Sequence, residues 1–300
     1  MNELANQLPL RKRGTMEVFD VSVKLYKRYF VPVILWAVLC GAAGLAGGVV
    51  PGAGLIAFFL TPFLIGSVGC CVAAAVHGND VTVKDCWNFS KRRYSGILSA
   101  YFTSSFVGVI IMMLCGLAIW LLLYGGYSFL SGILPAAAVA VIGGIVVVIV
   151  ICVASVFCSC VYAWMRMAPL ALCLEGNGSD NGRFLRRTYE LMRGQWWRIF
   201  ALVSLVGLAA VALFLIVGGM ASMVQGWDRL RDVLNGQVSD ASITQLILGY
   251  SMVISLVSVL LTPFLYLSLA VQYLDLRVRK EALDLEWATR ESAEAETAGQ

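Results

Sequence analysis

The sequence predicts an all-α, polytopic integral membrane protein with six transmembrane helices. The composition is one reason: 60% of the 300 residues are hydrophobic and 13% are charged, and the mean hydropathy is +0.83. A soluble domain carries roughly 25% charged residues. The second reason is that charged side chains are absent from four long runs, which are Tyr29–Asn79, Tyr94–Met165, Ile199–Trp227 and Ala241–Leu274.

The charge-free runs divide into spans by length. A helix that crosses a bilayer needs about 20 apolar residues, so each of the two longer runs holds two spans and each shorter run holds one. Glycine-rich breaks at Gly47–Gly52 and Gly125–Pro135 separate the paired spans. The predicted spans are 30–50, 53–76, 98–124, 136–165, 197–224 and 246–274.

The basic residues predict the orientation of these spans. With six spans, 20 of the 22 Lys and Arg side chains fall on the side that holds both termini, and only Arg229 and Arg231 fall on the other. Because basic connectors stay in the cytoplasm, both termini are expected there, in the inner or plasma membrane. Residues 1–287 form one six-span domain in this prediction, and the polar tail 288–300 is disordered.

Three stripes of apolar and aromatic residues precede spans one, three and five at helical spacing. Each stripe predicts a basic amphipathic helix in the cytoplasmic headgroup layer, with anionic lipid headgroups as its partner. The alternative is an ordinary basic flank with interfacial aromatics, which does not explain the matched spacing. The stripes are Phe19, Val23, Tyr26, Phe30; Trp87, Lys91, Tyr94, Leu98; and Leu185, Tyr189, Met192, Trp196.

A repeated pentapeptide suggests that the chain is built from repeats. LTPFL occurs at Leu60–Leu64 and at Leu261–Leu265, inside the second and sixth spans. Each copy closes a unit made of a surface helix and two spans. The middle unit has the same order without the pentapeptide. The sequence therefore predicts three copies of a surface helix–span–span unit.

The two repeated prolines, Pro62 and Pro263, each follow a threonine inside a span. Proline removes an intrahelical hydrogen bond and bends the helix, and the threonine hydroxyl is a candidate donor to the carbonyl that is freed. Matched bends leave two possibilities open: a cavity between the kinked spans, or a bent and tightly packed bundle.

Two polar stretches, 168–200 and 273–287, carry a distinctive pattern of turns, arginines and tryptophans. Its residues are Pro169, Leu174, Glu175, Gly176, Arg186, Arg187, Arg193, Gly194, Trp196, Trp197, Asp275, Arg277, Arg279 and Glu281. The pattern resembles the membrane-domain family named after glycerophosphoryl diester phosphodiesterases, together with related bacterial six-span proteins. One departure is Ala282, where the family pattern has glycine. The resemblance covers most of the chain in topology and is sharp only in these two stretches.

The resemblance implies phosphodiesterase activity only where a catalytic domain is fused to the membrane part. That chemistry uses paired histidines with metal-binding carboxylates, and the chain has one histidine, His77. The nine cysteines lie mostly within spans, where a thiol is more often a small hydrophobe than a metal ligand. We therefore expect no enzyme activity, no cofactor or metal, and no nucleic-acid partner.

Two functional hypotheses remain. The first is a non-enzymatic membrane scaffold or regulatory protein with a protein partner not yet identified. The alternative is a transporter or lipid-handling protein with a cavity between the Pro-kinked spans. Between the two kinked spans, a sealed centre packed with small residues favours the first hypothesis, and a groove open to the acyl layer favours the second. The charged end of span six pairs Asp275 with Arg279 and Arg277 with Glu281 at i,i+4 spacing, which suits a stabilised helix end or a docking surface.

Overall fold

The computed structural model describes residues 11–50, 52–131, 136–175, 183–225 and 240–281, and the elements in these ranges are all helices. This confirms the predicted all-α class for the described residues, and six of the helices are long and apolar enough to cross a membrane, as many as the sequence predicts. The helices are α1 (Thr15–Arg28), α2 (Phe30–Val49), α3 (Ala53–Val76), α4 (Val83–Ser131), α5 (Ala136–Glu175), α6 (Arg183–Met192), α7 (Trp196–Gln225) and α8 (Asp240–Glu281).

Three predicted spans coincide with whole helices and three are parts of longer ones. Helices α2, α3 and α7 match their predicted bounds to within one residue. Helix α4 has 49 residues, so it is about 74 Å long and far exceeds a bilayer core of about 30 Å. No proline interrupts residues 83–98, so the second predicted surface helix, which precedes span three, is not a separate element and runs directly into that span.

Among the described residues, glycines with positive φ lie at three turns between helices, and the first of them, Gly52 (φ +89°), directly precedes α3. Gly78 (φ +75°) follows α3, where the amide of Gly78 donates to the carbonyl of Ala75 and that of Asn79 donates to Ala74. This pattern is the Schellman motif, and it places His77 at the C-cap. Gly194 (φ +85°) lies in the turn that separates α6 from α7. A side chain at any of the three positions would be strained in this backbone conformation.

Contacts made by charged side chains join the helix ends at one side of the bundle. We call this side the basic end. It comprises the last two turns of α3, α5 and α8, the first three turns of α4, the first turns of α2 and α7, and the short helices α1 and α6. The Arg28 guanidinium reaches the Asp80 carboxylate at 2.7 Å, and Arg93 donates to the carbonyl of Cys173 at 2.7 Å. These contacts hold the connectors of neighbouring helices against one another.

The two proline-bearing helices form the centre of the bundle. In their apolar windows, 50% of α3 and 44% of α8 are buried, against 6% of α4. The buried residues concentrate towards the basic end, and much of the rest of α4, α5 and α7 exposes large apolar side chains. Lipid is the solvent in which such faces are stable.

The first predicted surface helix packs against protein along part of its stripe. Val18, Ser22 and Leu25 form its buried face, one position before the predicted stripe. Of the stripe itself, Phe19 and Tyr26 contact the ring of Phe264 in α8 edge-on, at centroid distances of 5.3 and 5.8 Å. Two predicted elements lie outside the described residues. One is a short helix on the outer leaflet at 226–236, which the helical spacing of Trp227, Leu230 and Leu234 predicts, and the other is the tail 288–300.

Candidate functional site

A buried carboxylate, Asp275, organises the basic end. Its side chain is fully buried near the end of α8. The Arg279 guanidinium, one turn on, lies 2.9 Å from Asp275 Oδ2, and the Arg198 guanidinium of α7 lies at 3.2 Å. Two arginines on different helices thus neutralise one buried carboxylate. The sequence predicted the pair with Arg279 and missed Arg198, because only the fold brings α7 beside α8.

The same carboxylate also holds the segment before α1. The backbone amide of Arg13 donates to Asp275 Oδ1 at 2.6 Å, and the Arg13 carbonyl accepts from both Arg279 and Arg198. The Arg13 side chain is itself buried. Burial lowers the pKa of its guanidinium, and the charges of Glu17 and Asp275 act in the opposite direction. Hydrogen bonds to the backbone of Arg13 therefore hold the N-terminal segment against the end of span six.

A second network joins α5, α6 and α8 around Glu175. The Arg187 guanidinium contacts the Glu175 carboxylate at 2.6 Å and the Glu281 carboxylate at 3.1 Å. Arg277 lies 2.9 Å from Glu281 and 3.5 Å from Glu175, and the Tyr273 hydroxyl donates to Glu175. Burial alone would lower the pKa of Arg187, but the hydrogen bond and the charge of Glu175 raise it above its usual value.

Lys280 closes the end of α6. Its ammonium donates to the carbonyls of Glu190 and Arg193, the latter at 2.7 Å. Carbonyls in the last turn of a helix have no intrahelical partner, and a cation there also complements the helix dipole. Through Lys280, the last turn of α8 is therefore hydrogen-bonded to the C-terminal end of α6.

The remaining predicted site residues lie apart from these networks. Arg186 pairs with Glu190 at 2.8 Å on the surface of α6, and Arg193 is exposed in the turn before α7. Pro169 is buried within α5, because that helix continues ten residues past the predicted end of span four. Trp196 and Trp197 begin α7, and Gly176 lies outside the described residues.

The two repeated prolines have matched surroundings. The Tyr94 hydroxyl donates to the carbonyl of Phe59 at 3.0 Å, three residues before Pro62. The Tyr26 hydroxyl donates to the carbonyl of Leu260 at 2.8 Å, three residues before Pro263. Both tyrosines occupy the third position of their predicted stripes.

The threonine before Pro62 has a different partner from the expected one. Proline at position 62 frees the carbonyl of Phe58, whereas the Thr61 hydroxyl donates to the carbonyl of Ala57 at 2.8 Å. The hydroxyls of Thr61 and Tyr94 therefore bond the carbonyls on either side of the freed one. A hydroxyl returns most easily to the carbonyl one turn before its own residue, which explains the offset.

Sequence reasoning did not single out Arg166, which lies inside α5 among three tyrosines. Its guanidinium donates to the hydroxyls of Tyr266 at 2.8 Å and Tyr101 at 3.2 Å. It also lies over the rings of Tyr101, Tyr162 and Tyr266, 5.0–5.8 Å from their centroids. One feature of the sequence could have indicated Arg166: it directly follows the longest charge-free run. At the end of a membrane span, an ionisable side chain is energetically costly unless it has partners.

Cysteines from two helices meet near the basic end. The thiols of Cys71 and Cys86 lie 3.8 Å apart, in α3 and α4, and both side chains are fully buried. Neither Cys71–Cys86 nor any other contact between helices follows from the two pairs that are close in the sequence, Cys70–Cys71 and Cys158–Cys160. Within the described ranges, no group of three or more His, Cys, Asp or Glu side chains has an arrangement that could hold a metal ion.

Two hollows among the described residues differ in character. A groove of about 690 Å³ runs between α4, α5, α6 and α7, with an almost wholly apolar lining that includes Phe157, Trp164, Trp196 and Trp197. A smaller pocket of about 240 Å³ lies between α2, α3 and α8, beside Thr262, and it is lined partly by Ser255 and Ser258.

Comparison with known proteins provides a family for this fold. No curated protein and no solved structure matches the chain. A family model described as "Domain of unknown function (DUF7847)" matches residues 29–276, from the start of α2 to the Asp275 region of α8. The match covers most of the chain, and the chain therefore belongs to the DUF7847 family.

Proposed function

We propose that this protein is a non-enzymatic membrane scaffold or regulatory protein whose basic end is a rigid platform facing the cytoplasm. The observation that carries the proposal is the fully buried Asp275, which joins the N-terminal segment, the start of α7 and the end of α8. Buried charges with several partners specify one arrangement of the elements that carry them. A platform of this kind presents its exposed side chains in a constant geometry.

The exposed charge of the platform supports a role at the membrane surface. Seven basic side chains are exposed around the basic end, and no ion pair is recorded for them in the described part of the chain. They are Lys12, Lys24, Lys27, Lys84, Lys91, Arg92 and Arg193. Each contributes about 1 kcal/mol of attraction to an anionic lipid surface, so together they favour placing the basic end on the cytoplasmic leaflet.

We also infer that the platform is assembled from repeats. Stripe residues of α1 pack on the Pro263 segment of α8, and those of α4 pack on the Pro62 segment of α3. Helix α6 packs on α5 in turn, where Trp164 donates to the carbonyl of Leu185. Each surface helix thus contacts the second span of another unit, as three copies of a surface helix–span–span unit arranged in a ring would require. The relation to the phosphodiesterase membrane-domain family stays a prediction.

A test of the scaffold uses two neighbouring arginines of α6. The full chain with Arg187→Ala loses the links to Glu175 and Glu281, whereas Arg186→Ala loses one exposed pair with Glu190. Each variant is extracted in native-lipid nanodiscs, and the co-purifying proteins are quantified by mass spectrometry. We expect a protein recovered in stoichiometric amount with wild type and Arg186→Ala and reduced with Arg187→Ala. Recovery of no stoichiometric protein with wild type contradicts the scaffold.

The second candidate is a transporter, for which the pocket beside Pro263 is the supporting observation. Its 240 Å³ is below the roughly 300 Å³ at which ligand pockets usually begin, so it suits only a small cargo. Ser255 and Ser258 supply hydroxyl groups there. Filling the pocket with Gly44→Leu would abolish uptake of such a cargo into proteoliposomes, whereas Gly207→Leu, at an open position, would not.

A further inference from the structure

The apolar groove between α4, α5, α6 and α7 has the dimensions of one lipid chain. It follows α5 over the twelve residues from Val153 to Trp164, which correspond to about 17 Å of helix. One leaflet of a bilayer core of about 30 Å is about 15 Å deep. With a volume of about 690 Å³, the groove is within the usual range of ligand sites.

The two ends of the groove differ in chemistry. Val153 and Phe157 line the end away from the platform and expose much of their apolar surface. The other end is lined by aromatic side chains, where the Tyr189 ring lies 6.5 Å from Trp164 and 5.9 Å from Trp196. Tryptophan and tyrosine prefer the boundary between acyl chains and headgroups. This end therefore marks the headgroup level.

A positive charge stands at the aromatic end. Arg193 lies in the turn between Tyr189 and Trp196, its side chain is exposed, and no acidic partner is recorded for it in the described segments. By contrast, Arg198 is engaged with Asp275. The Lys280 bond to the Arg193 carbonyl fixes the backbone of this turn without using the guanidinium. An arginine so placed complements a phosphate diester.

We propose that the groove binds one acyl chain of an anionic glycerophospholipid whose phosphate lies at Arg193. The lipid belongs to the leaflet that meets the basic end. This site goes beyond the scaffold role, since a bound lipid would seal α6 and the start of α7 against the α4–α5 pair. It requires neither a protein partner nor transport.

The test is native mass spectrometry of the intact protein released from vesicles of equal parts phosphatidylglycerol and phosphatidylcholine. We expect one retained lipid per chain, with phosphatidylglycerol preferred about fivefold, the equivalent of about 1 kcal/mol for one basic side chain. Val156→Trp fills the groove and should abolish retention. Val148→Trp, at an exposed position of the same helix outside the groove, is the matched control. Arg193→Gln should keep a lipid and lose the preference, whereas Arg92→Gln should change neither.

A second measurement does not depend on the folding of any variant. Phosphatidylglycerol carrying a photoreactive diazirine in its acyl chain should label wild-type peptides from 153–164. Labelling spread evenly over the exposed faces of α4 and α7, or equal retention by Val156→Trp, would overturn the site. A dimer that Val156→Trp dissociates would show that a second copy fills the groove, which also overturns it. Lipid retention without a stoichiometric protein would contradict the scaffold alone.

Discussion

The hydroxyl of Tyr26 donates a hydrogen bond to the carbonyl oxygen of Leu260, 234 residues away in the chain and 2.8 Å away in space. Tyr94 makes the corresponding bond to Phe59. Both carbonyls lie three residues before a proline of the repeated pentapeptide. The helix before one span therefore contacts the proline-containing segment of another, and it does so at both copies of LTPFL.

Removing the two hydroxyls should lower stability by equal and independent amounts. Each of Tyr26→Phe and Tyr94→Phe should cost about 0.5–1.5 kcal/mol, because each leaves one carbonyl beside a proline without its second donor. The double variant should show the sum, since the sites share no partner. The readout is the unfolding midpoint in a detergent–denaturant titration.

The control for this pair is Tyr124→Phe, because Tyr124 is exposed and its hydroxyl has no hydrogen-bond partner among the residues that the structure describes. It should leave the midpoint unchanged. A loss for one tyrosine and none for the other would contradict the matched roles of the two contacts.

Neutralising Asp275 should be far more damaging. Asp275→Asn keeps the size of the side chain and leaves Arg198 and Arg279 without their shared carboxylate. Breaking a buried ion pair by removing one partner costs about 3–5 kcal/mol. The backbone amide of Arg13 also donates to this carboxylate, so the substitution weakens the attachment of the N-terminal segment. Trypsin should therefore cleave at Arg11–Arg13 faster in folded Asp275→Asn than in wild type.

The matched variant for this experiment is Asp20→Asn, an exposed aspartate in α1. It should unfold and be cleaved like wild type. Unchanged cleavage in Asp275→Asn would show that the segment is held by other contacts.

Replacing Arg166, which lies among three tyrosines, should lower the stability of the protein. Arg166→Gln leaves the hydroxyls of the buried Tyr101 and Tyr266 without a donor, at about 1–3 kcal/mol for unsatisfied buried groups. Arg166→Lys keeps the charge and should still lose stability, since an ammonium cannot both bond two hydroxyls and lie flat over the rings. Thermal unfolding in detergent measures both variants, and exposed Arg92→Gln should match wild type. If Arg166→Lys were as stable as wild type, only the positive charge at this position would matter, and the shape of the guanidinium would not.

Close packing at one glycine should be visible in a pair of alanine variants. A Cβ atom at Gly69 would lie 2.6 Å from the Cβ atom of Cys173, whereas a Cβ atom at Gly207 would meet nothing within 4 Å. Gly69→Ala should therefore lose about 1–3 kcal/mol through overpacking. Gly207→Ala should be neutral or stabilising by up to about 1 kcal/mol, because alanine favours helix. Equal stability of the two variants would mean that α3 and α5 pack less tightly than the structure has them.

The predictions from sequence succeeded where a local property decided the outcome. Spans such as 53–76 end at glycine turns and at changes in charge, and both signals lie within a few residues of the boundary. Helix α5 continues ten residues past the predicted end of span four, which lies directly before the charged side chain of Arg166. Only the tyrosines of other helices explain why that charge lies within a continuous helix.

The amino-acid sequence by itself determined the all-α class and the number of membrane-competent helices, because hydrophobicity and length decide what a bilayer accepts. It also determined the i,i+4 pairs at the end of α8. The tertiary structure alone decided that Arg198 joins Asp275, that Cys71 meets Cys86 and that Tyr26 reaches Leu260. These contacts join residues far apart in the chain, and their geometry depends on how the helices tilt and pack, which no local pattern encodes.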